Sequence, residues 1–251
     1  PGVEQPGRPN CIARKDGDSF VISGQKAAWV SNGTIATAAA LFTAVDMGDG
    51  QPGNGAFLVP LDGPGVSRGK PLDKIGQRAL NQGEVFFDDV RIPANYMVIP
   101  REMYPIAADM VLTQANGGMG VTFVGVARAA LELAVNYARE RIQGGVPIIE
   151  HQSVKLRLFE MFRKVEAARA LARRVVMYNS TSTAPQLHYA IASKVTATNT
   201  CFEVASSAVQ IFGGNGLSRE YPIEKVMRDA RASMIEDGCN DILSLAGAER
   251  L

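Results

Sequence analysis

The chain has 251 residues, of which 46% are hydrophobic and 20% charged, with a formal net charge of +1. That near-neutral balance leaves no electrostatic footprint for nucleic acid and no basic arm for a membrane surface. Its three cysteines (Cys11, Cys201, Cys239) lack Cys-x-x-Cys spacing and its histidines are only His151 and His188, so no disulfide framework, zinc site, other metal centre or Ser-His triad is expected.

Up to about residue 105, short runs rich in β-branched and aromatic residues alternate with turn signals. The runs are residues 19–23 (Ser-Phe-Val-Ile-Ser), 28–31 (Ala-Trp-Val-Ser), 39–45 (Ala-Ala-Leu-Phe-Thr-Ala-Val), 55–59 (Gly-Ala-Phe-Leu-Val) and 84–90 (Glu-Val-Phe-Phe-Asp-Asp-Val). Between them lie Asp16-Gly-Asp, Gly48-Asp-Gly and Pro60-Leu-Asp-Gly-Pro-Gly. This spacing predicts a compact antiparallel sandwich or barrel. The longest apolar run read here, residues 35–45, is too short to cross a bilayer, and the N-terminus has no signal-peptide layout. No membrane insertion is expected, and the compartment should be the cytoplasm or an organelle matrix.

After Pro105 helical periodicity takes over. One long helix is predicted over residues 118–141. A second is marked by Val154, Leu158, Phe162 and Val165, three and four residues apart with Arg157, Glu160 and Arg163 on other faces. A third runs from about Pro185 through Gln210, and residues 179–185 (Asn-Ser-Thr-Ser-Thr-Ala-Pro) form the loop before it. The fold class is therefore α+β: a β-domain over 1–105, then an antiparallel four-helix-bundle domain over 106–251.

The most informative stretch is residues 210–230, Gln-Ile-Phe-Gly-Gly-Asn-Gly-Leu-Ser-Arg-Glu-Tyr-Pro-Ile-Glu-Lys-Val-Met-Arg-Asp-Ala, with Ile-Glu-Asp-Gly-Cys-Asn-Asp-Ile at 235–242. Its glycines let backbone approach a ligand closely, and its carboxylate is a candidate for proton chemistry beside that ligand. Together these resemble the C-terminal signature of the acyl-CoA dehydrogenases. Residues 24–33, Gly-Gln-Lys-Ala-Ala-Trp-Val-Ser-Asn-Gly, resemble that family's Gly-x-Lys-x-Trp-Ile-Thr-Asn-Gly, in which the Trp packs on a flavin and the hydroxyl bonds its reactive ring. An aromatic wall with a nearby hydroxyl suits such a ring; taken alone, Trp-x-Ser would read as a core indole beside a surface serine. Residues 74–79 and 86–93 resemble the strand pair that closes the family's β-domain, a structural role. Residues 137–152, Tyr-Ala-Arg-Glu-Arg-Ile-Gln-Gly-Gly-Val-Pro-Ile-Ile-Glu-His-Gln, resemble Tyr-Ala-x-x-Arg-x-x-Phe-Gly-x-Pro-Ile-x-x-x-Gln, with Gly144 where Phe is usual.

The resemblance implies FAD as cofactor, held by Trp29, Ser31, Arg141, Gln152, Gln210, Gly213, Gly214, Cys239 and Asp241. Several of these contacts cross a subunit boundary in the family, so a homodimer or homotetramer is implied. So are an acyl-CoA substrate and an electron-transferring flavoprotein as acceptor. Pro1-Gly2 resembles the middle of the Thr-Glu-Pro-Gly motif that begins the family's β-domain, and the helical domain that usually precedes it is expected to be missing, as in a fragment or split subunit.

The family's usual catalytic triplet is Glu-Gly-Thr; here Asp237-Gly238-Cys239 takes its place, making Asp237 the candidate base and Glu236 a poor second. Its carboxylate reaches about 1.5 Å less than a glutamate's. Relatives that carry the base elsewhere have it where this chain has Ala115, with Gln114 and Asn116 beside it, and Arg is common at the position of Asn116. Cys239 and Asp241 replace a Thr and a Gln. The expected function is α,β-dehydrogenation of an acyl-CoA thioester. The alternatives are a flavin oxidase or monooxygenase like the nitroalkane oxidases, which share the Asp but have Arg where this chain has Ser244, or a catalytically incomplete fragment.

Overall fold

The computed structural model describes residues 10–251; the Pro1-Gly2 resemblance lies outside them. The described residues form two compact units, one of 10–74 together with 78–108, the other of 75–77 together with 109–251.

The first unit is one curled seven-stranded sheet. Its strands are β1 (Cys11–Asp16), β2 (Ser19–Ser31), β3 (Ala38–Asp46), β4 (Asn54–Pro60), β5 (Val66–Arg68), β6 (Gln82–Pro93) and β7 (Met97–Ile99), in the order β5-β6-β2-β1-β3-β4-β7. Every pairing is antiparallel except β1 with β3, which run parallel from Ile12↔Ala44 to Arg14↔Asp46. The expected runs at 19–23 and 28–31 prove to be one strand, β2, bent by register shifts against β6 between Ile22 and Gly24 and between Lys26 and Val30. Alternating side chains fill the core, where Phe20 meets Phe57 edge-on at 5.0 Å, with Ile22, Val59 and Val85 around them. In β6 the alternation slips at Asp88-Asp89: Val85 and Phe87 point inward before the slip, Val90 and Ile92 after it. Asp89 takes φ +47° to absorb the extra residue, and its carboxylate accepts a 2.6 Å bond from the Ser23 hydroxyl.

The second unit contains α1 (Tyr104–Glu140), whose first turn is counted with the sheet, then α2 (Gln152–Thr181), α3 (Leu187–Phe212), α4 (Ile223–Ser233) and α5 (Asn240–Ala248). Between α1 and α2 lies a hairpin of β8 (Ile142–Gln143) and β9 (Val146–Pro147). α1 begins well before residue 118. It buries Ala127, Ala130, Ala134 and Ala138 at helical spacing, in one core cluster with Cys201, Ala205 and Ala208 of α3 and Met161 and Val165 of α2. Such small residues let helix backbones approach closely. The segment Arg101–Glu140 is long and apolar enough to cross a membrane by length and composition, which the reading of residues 35–45 overlooked. Its buried alanine stripe gives α1 a packing role in this bundle. α4 and α5 both pack on α3. Residues 75–77 lie against α4: the Gln77 N–H donates to Asp229 at 2.5 Å and the Arg228 guanidinium to the Ile75 carbonyl at 2.6 Å.

Candidate functional site

Trp29 and Ser31 flank Val30 at the end of β2. Val30 packs toward the sheet's core, while Ser31 and Trp29 face outward, Trp29 with 61% of its surface exposed. Two residues apart on a strand, they share a face. The turn that follows is rigid: Asn32 has φ +56° and donates its N–H to the Asn81 carbonyl at 2.7 Å, and Thr34 donates its hydroxyl to the Asn81 side chain at 2.8 Å. A Cβ on Gly33 would stand 2.7 Å from the Gly83 carbonyl oxygen. The lone tryptophan is thus no core residue of this unit, contrary to the bland reading of Trp-x-Ser.

In the helical unit, Arg141 stands where α1 gives way to the β8–β9 hairpin. Gly144 (φ +63°) and Gly145 (φ +83°) form its two-residue turn, the left-handed pair that matches strand twist. Arg141 is exposed; its N–H bonds back to Tyr137 and its carbonyl accepts from Ile148 at 2.7 Å. His151 bonds the Gln143 carbonyl at 3.0 Å, and the exposed Gln152 opens α2.

At the other end of α3, Gly213 caps the helix with φ +60°, its N–H returning to the Gln210 carbonyl. Beneath the turn, Tyr137 stacks on Phe212 at 4.0 Å, and Asn215 donates to the hydroxyls of Tyr137 (3.0 Å) and Tyr221 (3.1 Å). Gly216 has an internal reason to be glycine, since a Cβ there would meet the Val209 carbonyl at 2.5 Å. Gly214 has none: its φ is not left-handed and a Cβ would meet nothing within 4 Å. Gly213 and Gly214 present an exposed edge of bare backbone beside the exposed Gln210.

The third element is the turn between α4 and α5. Asp237 is exposed and adopts φ +50°, a left-handed position that aspartate tolerates better than most residues. Gly238 follows at φ +103°, where a Cβ would crowd Leu243 at 2.9 Å. Among the described residues no backbone carbonyl is paired with the Asp237 N–H. Glu236 accepts a 2.5 Å bond from the Gln77 side chain. Cys239 is the N-cap of α5, and Asp241 lies in its first turn, where a carboxylate stabilises the helix's N-terminal end.

Beneath this turn is a residue that the sequence reading did not single out. Lys194 of α3 has 0% of its surface exposed, and its ammonium donates to the Gly238 carbonyl (2.7 Å) and the Asn240 side chain (2.8 Å). Burial pulls its pKa down to about 8, against the pull of Asp237, Glu236 and Cys239, which favour the cation. Its place was detectable, because Ala190, Ala197 and Cys201 are its neighbours on the buried stripe of α3 at helical spacing. Asn116, matched to an arginine position near the family's substrate, is fully buried, its amide donating to the Leu112 carbonyl at 2.9 Å, so it presents no side chain outward. Among the described residues no group of three or more His, Cys, Asp or Glu is placed to hold a metal ion.

A family model described as acyl-CoA dehydrogenase, C-terminal domain, matches residues 106–251, and one described as acyl-CoA dehydrogenase, middle domain, matches residues 6–90. Human mitochondrial short-chain specific acyl-CoA dehydrogenase is 34% identical over 245 residues, which is 98% of this chain and 59% of that protein. Butyryl-CoA dehydrogenase from Megasphaera elsdenii superposes with a TM-score of 0.89 at 32% identity, over 96% of this chain and 63% of that one. A chain of the structure named for the electron transferring flavoprotein of Acidaminococcus fermentans gives a TM-score of 0.90 at 29% identity, over 99% of this chain and 66% of that one. The chain therefore spans less than two thirds of the length of each of these relatives.

Proposed function

The chain belongs to the acyl-CoA dehydrogenase family, and on that premise we propose that it carries the FAD-holding and proton-abstracting parts of an enzyme that dehydrogenates an acyl-CoA thioester between its α and β carbons. The observation that carries this reading is the exposed Asp237 carboxylate on a left-handed backbone position between α4 and α5. The exposed indole of Trp29 with Ser31 on the same face and the bare backbone at Gly214 fit a flavin dinucleotide. Trp29 would cover the ring and Ser31 bond its edge. Arg141, Gln152, Gln210, Gly213 and Gly214 would hold the phosphates and ribose, and Cys239 and Asp241 would line the α5 side. When bound, FAD supplies the acceptor for the hydride that leaves the β carbon.

Asp237 takes the α proton. A thioester α proton is far too weakly acidic for a free carboxylate, so the oxygen that gathers charge must meet a preorganised donor. The Asp237 N–H, with no backbone acceptor of its own among the described residues, is available for that bond. A bound acyl chain would displace water from the carboxylate and strengthen it as a base. Ser244, whose hydroxyl is engaged with the Asn240 carbonyl at 2.7 Å, stands where nitroalkane oxidases have an arginine, and this disfavours the oxidase reading. The electron acceptor is an electron-transferring flavoprotein, the assembly a homodimer or homotetramer, and the compartment the cytoplasm or an organelle matrix, all within the same proposal.

The test is Asp237→Asn in the intact, FAD-loaded protein. Anaerobic acyl-CoA should bleach the wild-type flavin and leave the variant yellow. Full bleaching by the variant would remove Asp237 from the role, and rapid oxygen consumption by the wild type would favour an oxidase.

A further inference from the structure

Lys194 is costly where it stands. A buried ammonium loses its hydration, and a methionine would fill the same space without that loss. Both hydrogen bonds of its Nζ end on one short segment, the Gly238 carbonyl and the Asn240 side chain. Asn240 is itself held from three directions. Its amide donates to Thr198 and Asn199, each at 3.0 Å, and its backbone N–H donates to the Met234 carbonyl at 3.0 Å. Thr198 in turn donates its hydroxyl to the Lys194 carbonyl at 2.9 Å, one turn back along α3.

The segment so held contains two successive left-handed residues, Asp237 and Gly238. A non-glycine residue in that region is strained and persists only where its surroundings hold it. On the far side of the turn, Gln77 fixes Glu236. Asp237 is thus the exposed side chain of a turn whose backbone is tied on both sides.

We infer that Lys194 is a positioning residue: from within α3 it fixes the backbone of the Asp237–Gly238 turn and thereby the reach and direction of the Asp237 carboxylate. The inference rests on the reading of Asp237 as the base. A carboxylate one methylene shorter than glutamate has less freedom to find its proton by rotamer search, so the placement of its backbone weighs more. The cation also lies in the field of Asp237, Glu236 and Cys239, while it donates its two hydrogen bonds to the Gly238 carbonyl and the Asn240 side chain. That leaves the Asp237 oxygens available to substrate.

The experiment compares wild type, Lys194→Met and Asp237→Asn in the intact FAD-loaded protein, by hydrogen exchange and by single-turnover bleaching with acyl-CoA. In Lys194→Met, amide exchange across residues 235–240 should rise about tenfold or more while α2 stays as protected as in wild type. Its bleaching rate should fall about tenfold or more with KM little changed. If methionine at 194 prevents folding, Asn240→Ala, which removes the second acceptor together with the amide's bonds to Thr198 and Asn199, should shift both readouts in the same direction. Exchange and bleaching within about twofold of wild type would overturn the inference, as would exchange that rises equally in α2 and in the turn. Full bleaching by Asp237→Asn would sink the base and leave the exchange result standing; unchanged exchange in Lys194→Met beside an inactive Asp237→Asn would sink the lysine alone.

Discussion

Lys194 has a signature in equilibrium stability as well as in rate. Burial pulls its ammonium down to about 8 from the 10.5 of an ordinary lysine, disfavouring the charge more than Asp237, Glu236 and Cys239 favour it. Between those values the unfolded chain binds a proton that the folded chain lacks, so the lysine's contribution to stability rises with pH; below pH 8 its cost is present in full. The buried Cys201 acts in the opposite sense. Burial, helped by Asp229, pushes its thiol up to about 12 from 9.0, so its contribution is present below pH 9 and is lost as pH climbs toward 12. Denaturant titrations from pH 7.5 to 10.5, reported as wild type minus Lys194→Met, isolate the first effect. The difference should rise across the window with a slope of at most ~1.4 kcal/mol per pH unit. At the same scale, Asp237→Glu extends the carboxylate by about 1.5 Å. It should raise turnover with straight-chain acyl-CoAs, measured as kcat, if the native aspartate is matched to a bulkier or cyclic acyl group.

The turns separate a glycine that the fold requires from one that it does not. Gly216→Ala puts a methyl 2.5 Å from the Val209 carbonyl and should cost about 1–3 kcal/mol. Gly214→Ala meets no atom of the chain, so its melting curve should match wild type within about 0.5 kcal/mol. Its affinity for FAD, followed by flavin fluorescence, should nonetheless fall about tenfold, since the methyl would stand where backbone meets ligand. What was legible in the sequence divides along similar physical lines. The glycine turns, the strand runs and the Leu158 and Val165 positions of α2 announce themselves locally, because their residue types carry their own conformational preferences, whereas Phe162, read into the same stripe, stands 49% exposed. Strand β1 does not: Cys-Ile-Ala-Arg-Lys-Asp buries only Cys11 and Ala13, and its parallel pairing with β3 is a tertiary fact. The first half of α1 was hidden by Gly117-Gly118, since each glycine disfavours helix by about 1 kcal/mol and the burial of apolar neighbours such as Phe123 and Val124 overrides it. The lysine was missed because its partners lie 44 and 46 residues away.

For the molecule as a whole, the outer face of α2 is the feature that asks for company. Leu156 (73% exposed) and Phe159 (65% exposed) stand on it with Phe162, whose ring centroid is 6.2 Å from that of Phe159. Contiguous apolar surface of this kind marks contact with another macromolecule, and a second copy fits the proposed shared cofactor site. The intact protein should therefore sediment as a dimer or tetramer. Leu156→Asp with Phe159→Asp should move it toward monomer and, if FAD is held across that boundary, release the flavin as well. A doubly substituted protein that keeps both its mass and its colour would place the subunit contact elsewhere.

The distribution of sulfur gives this chain built-in stopwatches. Cys11 lies buried in the sheet unit, Cys201 buried in the helical unit, and Cys239 partly open on the turn. A maleimide pulse on the folded, flavin-free protein should mark Cys239 first and the other two only as their surroundings open. Peptide mapping of the slow labels then times the opening of the sheet and of the bundle separately, in one sample and without adding a probe.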